Sequence, residues 1–288
     1  MIEITVKATT ANLGPGFDCM GLALDIENKI FIKESNRKFK DERNLIYHSI
    51  KKIYDIAGKK IPGISIDQKI GIPIRQGLGS SAACIAAGCV AGNKLSGADL
   101  STLDLIKIAT EIEGHPDNIV PAFLGGYTIS SLENGEVIYF RQKAFEGFKY
   151  GVMTPDFTLS TAEARKVLPA TISYADAVFN IGKSSLMSAA MITGNAELLK
   201  AANIDKVHEP YRKHLIPNFD IIKNQANSLG ALTTFLSGAG PTIISILKAD
   251  DNIFERKMSQ FLKSIEGGWA LIIAEACNNG IECNMITD

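Results

Sequence analysis

The chain has 288 residues, 46% of them hydrophobic, with 30 lysines and arginines against 31 aspartates and glutamates. That length allows one large domain or two ordinary ones with a real core. The formal charge of -1 excludes the basic excess of a nucleic-acid binder, and no apolar run is long enough to cross a bilayer.

At the start, Ile2, Ile4 and Val6 alternate with Glu3, Thr5 and Lys7. This is a strand pattern, and it lacks the long apolar centre of a signal peptide. Residues 28–34 and 64–70 read as further strands. Between them Asn44 is a helix cap, followed by Ile46, Ile50, Ile53 and Tyr54 on one helical face. A helix of small residues is expected from about Ser80 to Leu95. The next starts at Ser101, with Asp104 as a capping-box partner, and buries Leu105, Ile108, Ala109 and Ile112. Gly114 and Pro116 should end it. Strands at 127–130 and 136–141 flank Asn134-Gly135, a strong hairpin signal. After residues 143–148 the pattern changes. A strand KYGVMT leads into a helix-rich stretch from about 160 to 228. Strands ALTTFL and TIISIL follow, joined by SGAGP, then a helix (253–265) and strands at 269–275 and 280–286. The mixture argues α+β. A division into residues 1–150 and 151–288 is expected. Cys19, Cys84, Cys89, Cys277 and Cys283 form no C-x-x-C pair. They read as buried free thiols of a reducing, cytoplasmic setting.

Four polar clusters stand out. Thr9 to Asp18 contains Gly-Pro-Gly, which is either an ordinary turn or a stiff loop presenting Asn12 and Asp18. Gly77-Leu78-Gly79-Ser80-Ser81-Ala82-Ala83 lies between an apolar stretch and the small-residue helix. Its glycines let backbone N–H groups approach an anion, and the helix dipole favours negative charge there. The lysine of the usual P-loop is absent. Glu111, Glu113, His115, Asp117 and Asn118 crowd a helix end. That end is either solvated or a site, and His115 lacks a neighbour at zinc-ligand spacing. Thr161 and Arg165, one turn apart, could face one anion, and Arg212 adds a second guanidinium.

PIRQGLGSSAA (73–83) resembles the phosphate loop of the superfamily named for galactokinase, homoserine kinase, mevalonate kinase and phosphomevalonate kinase (GHMP). TTANLGPGFD (9–18) and SGAGPT (237–242) resemble its N- and C-terminal motifs. EGHPDNIVPAFLGG (113–126) and TAEARKVLP (161–169) are similar to its homoserine-kinase members. The resemblance implies a two-domain fold, with an N-terminal half like ribosomal protein S5 domain 2 and a ferredoxin-like C-terminal half. It implies ATP held by Pro73, Ile74, Arg75, Gln76, Gly77, Leu78, Gly79, Ser80, Ser81, Ala82 and Ala83. Mg²⁺ would sit on Ser80 or Ser81 and on Glu113, with Glu111 the alternative ligand. L-homoserine would be bound by Asn12, Asp18, a neutral His115, Thr161, Arg165 and Arg212. Asp117 and Asn118 lie nearest the reacting hydroxyl; the expectation is no obligatory base, with Asn118 orienting the hydroxyl and Arg165 supplying charge. The resemblance also implies a homodimer, while the charge balance and the absence of a long apolar run argue for no nucleic-acid or membrane partner. Arg75-Gln76 departs from the small residues common before the glycines. A mevalonate or sugar kinase of the same superfamily is the nearest alternative, against which Arg165 with Thr161 argues. The other is a non-catalytic regulator, against which Ser80, Ser81 and Glu113 argue.

Overall fold

The computed structural model describes residues 1–35 and 41–286. In chain order the first elements are β1 (Ile2–Ala11), β2 (Met20–Glu34), α1 (Leu45–Ile56), β3 (Ile64–Lys69), α2 (Ser80–Ser96), α3 (Thr102–Glu113) and α4 (Ile119–Leu124). Next come β4 (Tyr127–Glu133), β5 (Glu136–Gln142), β6 (Phe148–Thr154), α5 (Thr161–Lys166), α6 (Tyr174–Thr193) and α7 (Ala196–Ala202). The chain closes with α8 (Glu209–Arg212), α9 (Phe219–Ser228), β7 (Thr233–Leu236), β8 (Ile243–Lys248), α10 (Phe254–Leu262), β9 (Ala270–Ala274) and β10 (Glu282–Met285). No helix among the described residues is long and apolar enough to cross a membrane.

Two antiparallel sheets result. The first has the order β10-β1-β2-β4-β5, with β3 also paired to β2; the second has the order β7-β8-β6-β9. The strand expected at 28–34 is only the second half of β2. Residues 20–24 are buried on both faces, so they show no alternation to read. The division expected after residue 150 falls inside β6. Moreover, β10 returns to pair with β1, Ile4 opposite Cys283, so the chain's end belongs to the first sheet.

The second sheet has two buried faces, which explains the near-continuous apolar run of β8. Tyr150, Val152, Ile244 and Ile246 join the large core beneath β1, β2 and α1–α4. Their neighbours Met153, Ile243 and Leu247 turn the other way, to a smaller core with Phe219, Phe254 and Trp269. The two-residue period of a strand thus assigns one sheet to two cores. All five cysteines are free. The expectation that they are buried holds for Cys89 alone; Cys283 is exposed and the others are half-buried.

The capping expectations hold. The Asn44 side chain accepts from the Tyr47 N–H. Ser101 and Asp104 form a reciprocal capping box, and Gly114 closes α3 in the left-handed region at φ 94°. The expected hairpin forms between β4 and β5, with Glu133 opposite Glu136.

Candidate active site

A cavity of ≈ 420 Å³ opens where the end of β1, the start of α2, the end of α3, α5 and the turn before β8 meet. Gly77 and Gly79 make that junction possible. A Cβ on Gly77 would lie 2.4 Å from the Ser237 carbonyl oxygen, and one on Gly79 would lie 1.9 Å from Thr9 Oγ1. Both residues have positive φ, 75° and 67°, a region that favours glycine. Ser237 donates its hydroxyl to the Gly77 carbonyl at 2.6 Å, and the Thr9 N–H donates to the Leu78 carbonyl at 3.2 Å. The loop is clamped from both halves of the chain, with the N-terminus of α2 at the cavity.

The departure at Arg75-Gln76 has a structural reason. Gln76 is buried and its amide donates to the carbonyls of Pro155, at 3.2 Å, and Phe157, at 3.0 Å. The Arg75 carbonyl accepts from the Leu159 N–H, and the Gln76 carbonyl from the Thr242 N–H. The Gln76 side chain thus anchors the loop to the second half of the chain, while Arg75 contributes only its backbone carbonyl.

Most residues singled out from sequence line this cavity: Asn12, Asp18, Ile74, Arg75, Gln76, Gly77, Gly79, Ser80, Ser81, Glu113, His115, Asp117, Asn118, Thr161, Arg165 and Arg212. Four do not. Leu78, Ala82 and Ala83 put their side chains into the core, and Pro73 lies off the cavity wall. Sequence reasoning missed the wall formed by Asn44, Leu45, Ile46, Gln68, Ile70 and Cys84. The signal was weak: Ile70 and Ile74 are each 56% exposed, unusual for isoleucine but invisible without the fold.

The polar groups fall into two sets. In the first, Ser81 Oγ donates to Glu113 Oε2 at 2.6 Å. Burial pushes the Glu113 carboxyl above its ordinary range, against the opposing pull of the Ser81 hydrogen bond. Glu111 is turned to solvent, paired with Lys52 at 2.9 Å.

In the second set, Arg165 grips Asp18 with both terminal nitrogens, at 3.0 and 2.9 Å. Asn12 braces the turn that presents Asp18. Its Oδ1 accepts from the Asp18 N–H at 2.8 Å and its Nδ2 donates to the Gly238 carbonyl at 2.8 Å. Arg212 is buried, donating Nε to the Ala164 carbonyl and a terminal nitrogen to the Gly238 carbonyl. Desolvation lowers its pKa to about 10, which still leaves it charged at neutral pH.

His115 Nδ1 lies 2.5 Å from Asp117 Oδ1, which also accepts from the Asn118 N–H at 2.9 Å. Thr9 Oγ1 donates to Asn118 Oδ1 at 2.7 Å. Burial opposes protonation of His115, but the hydrogen bond and charge of Asp117, with Glu113 and Asp18 beyond, carry its pKa above the ordinary value. The imidazole expected from sequence to be neutral thus has a proton-stabilising partner in Asp117. Ligand atoms of Asp18, His115 and Asp117 all lie within 4.8 Å of one another, a grouping hidden in the sequence because Asp18 comes from another element. Arg165 and His115 already answer the two carboxylates.

Comparison with known proteins gives a consistent result. The family model described as GHMP kinases N terminal domain matches residues 44–126, and that for GHMP kinases C terminal matches residues 187–264. A homoserine kinase of Clostridium botulinum strain Langeland is 47% identical over 278 residues, 93% of this chain and 94% of that protein. One from Caldicellulosiruptor bescii is 44% identical over 97% of this chain and 96% of its own. The crystal structure of a homoserine kinase from Cytophaga hutchinsonii superposes with a TM-score of 0.88 at 27% identity, covering 98% of this chain and 97% of that one.

Replacing Gly79 by alanine is expected to lower unfolding free energy by roughly 2–5 kcal/mol, since it adds left-handed strain and a clash in a packed junction. Urea denaturation measures it, and a loss below about 1 kcal/mol would contradict the close approach. For His115, a raised folded-state pKa means that its pairing stabilises fully below the unfolded value and fades as pH rises through the folded one. NMR titration should therefore show His115 above its ordinary pKa in the wild type and below it in Asp117→Asn, where burial dominates. Equal values in both proteins would contradict the assignment.

Proposed function

The chain belongs to the GHMP kinases, in the homoserine kinase family, and on that basis we propose that its cavity transfers the γ-phosphoryl group of ATP to the side-chain hydroxyl of L-homoserine. The observation that carries the acceptor assignment is the Asp18–Arg165 pair at the cavity wall. A zwitterionic amino acid can enter that pair by exchange. Its ammonium takes the place of the guanidinium on Asp18, and its carboxylate takes the place of Asp18 on Arg165. No charge is left unpartnered. An acceptor with only one of the two charges would strand the other partner, at a cost typical of broken charged hydrogen bonds.

The donor end follows from the loop. Phosphate oxygens meet the free N–H groups and positive dipole of α2 at Ser80 and Ser81. The apolar wall of Leu45, Ile46, Ile70 and Ile74 offers a surface for the nucleotide base. Glu113 and Ser81 provide a carboxylate and a hydroxyl, the hard oxygen donors magnesium takes beside substrate phosphates. A cation there would also relieve the burial that raises the Glu113 pKa. When bound, magnesium would neutralise phosphate charge. Ser81 rather than Ser80 is the favoured hydroxyl, because it already reaches Glu113. The five free thiols suit a reducing, cytoplasmic setting for this chemistry.

Phosphoryl transfer depends on in-line positioning and charge neutralisation more than on covalent help. Asp117 is tied to His115 and to the Asn118 backbone through one oxygen. Through that oxygen Asp117 orients both His115 and Asn118. With Nδ1 on Asp117, His115 Nε2 has no partner among the described residues and is free to hydrogen-bond to the acceptor hydroxyl, or, when the ring is protonated, to the moving phosphoryl group. Arg165 and Arg212 supply positive charge on the same side.

An ADP-release assay with homoserine, mevalonate, galactose and shikimate tests this reading. Homoserine should be the best acceptor; faster turnover of mevalonate or galactose would assign the site to another branch, and no turnover at all would favour a regulator. Arg165→Ala should lower kcat/KM for homoserine roughly a hundredfold. Asp117→Asn should lower kcat by about tenfold or less. A fall near the top of the 10²–10⁴ range of a general base, with a changed pH profile, would sink the no-base mechanism.

A further inference from the structure

Phe17 sits between Gly16 and Asp18 but is not part of the cavity wall. Both site guanidiniums nevertheless lie near its ring: Arg212 Cζ is 4.9 Å from the centroid and Arg165 Cζ is 5.7 Å from it. We propose that Phe17 is a positioning residue for the acceptor site, an aromatic support that holds both arginines where the acceptor's carboxylate meets them.

Two like charges brought to one small site repel each other, and Asp18 engages only one of them. The negative face of an aromatic ring attracts a guanidinium without competing for its hydrogen-bond donors. Arg212 can therefore keep its bonds to the Ala164 and Gly238 carbonyls while the ring offsets part of its desolvation.

The ring is itself fixed from behind. His208 stacks on it, centroids 5.1 Å apart at 19°. His208 Nε2 lies 2.9 Å from the Gly14 carbonyl oxygen. A carbonyl can only accept, so Nε2 carries a proton, while Nδ1 is buried without a partner. Desolvation depresses the His208 pKa despite the nearby carboxylates of Asp205 and Glu209. A neutral imidazole here matters, because an imidazolium would be a third cation against the same ring. Asn180 Nδ2 donates to the Pro15 carbonyl at 3.1 Å, so the Gly-Pro-Gly turn is pinned on both sides of its proline. The turn that in sequence is either an ordinary loop or a stiff presenter of Asn12 and Asp18 is here also a mount for one aromatic ring.

The kinetic test rests on the homoserine reading above, and the two fail differently. If that reading is wrong, the wild-type protein turns over no homoserine; if this inference is wrong, only the variants show it. Phe17→Leu keeps apolar bulk and removes the π face. It is expected to raise the KM for homoserine roughly tenfold with the KM for ATP nearly unchanged, and Phe17→Tyr is expected to restore the wild-type value. An unchanged homoserine KM in Phe17→Leu, an equal rise in both KM values, or a tyrosine variant as impaired as leucine would overturn it. A second measurement uses the same variant. The side-chain NMR resonances of Arg165 and Arg212 should lie upfield in the wild type of their positions in Phe17→Leu, where the ring current is lost, and unchanged resonances would overturn the proposal.

Discussion

The site depends on two residues having no side chain. Gly77 and Gly79 let one loop touch the end of β1 and the turn before β8 at distances that a Cβ would forbid. Everything charged is organised around that contact. It brings the N-terminus of α2, the Glu113 end of α3 and the Gly238 carbonyl to one cavity, although they come from distant parts of the chain. Gln76 extends the same contact to residues 155 and 157, so the loop is part of both halves of the molecule. A loop held this way has little freedom to lose on binding, which is the physical meaning of preorganisation.

Around it, charge is arranged in answered pairs. Asp18 meets Arg165, Asp117 meets His115, and Glu113 meets the Ser81 hydroxyl. Each pair is incomplete in a way that suits a ligand. The Asp18–Arg165 pair is about one-third exposed on each side, so it can be opened by exchange. Glu113 has only a hydroxyl, and burial leaves it in want of a cation. Unlike these, Arg212 is answered by two carbonyls and an aromatic face, and its charge is held in place before any substrate arrives.

Much of this was legible in the sequence, for physical reasons. Capping and hairpin chemistry are local, so Asn44, Ser101, Gly114 and Asn134-Gly135 marked their elements. The glycine loop was legible because its residue types and its position before a small-residue helix act together. What escaped was non-local. The first half of β2 is buried on both faces and carries no alternating pattern. The return of β10 to β1 depends on the whole chain's path. The rise in the His115 pKa depends partly on Asp18, which arrives from another element beside the sequence neighbours Asp117 and Glu113. Arg75-Gln76 looked anomalous because its partners, Pro155, Phe157 and Leu159, lie about eighty residues away. Phe17 carried no signal in the sequence because both guanidiniums near its ring are distant in the chain.

The central claim is that a preformed carboxylate–guanidinium pair selects a zwitterionic acceptor by exchange. Calorimetric titration with L-homoserine, 4-hydroxybutyrate and 3-aminopropanol measures it directly, since the two analogues each lack one charge. The account requires L-homoserine to bind at least about tenfold more tightly than either analogue. Binding of 4-hydroxybutyrate or 3-aminopropanol as tight as that of L-homoserine would contradict it.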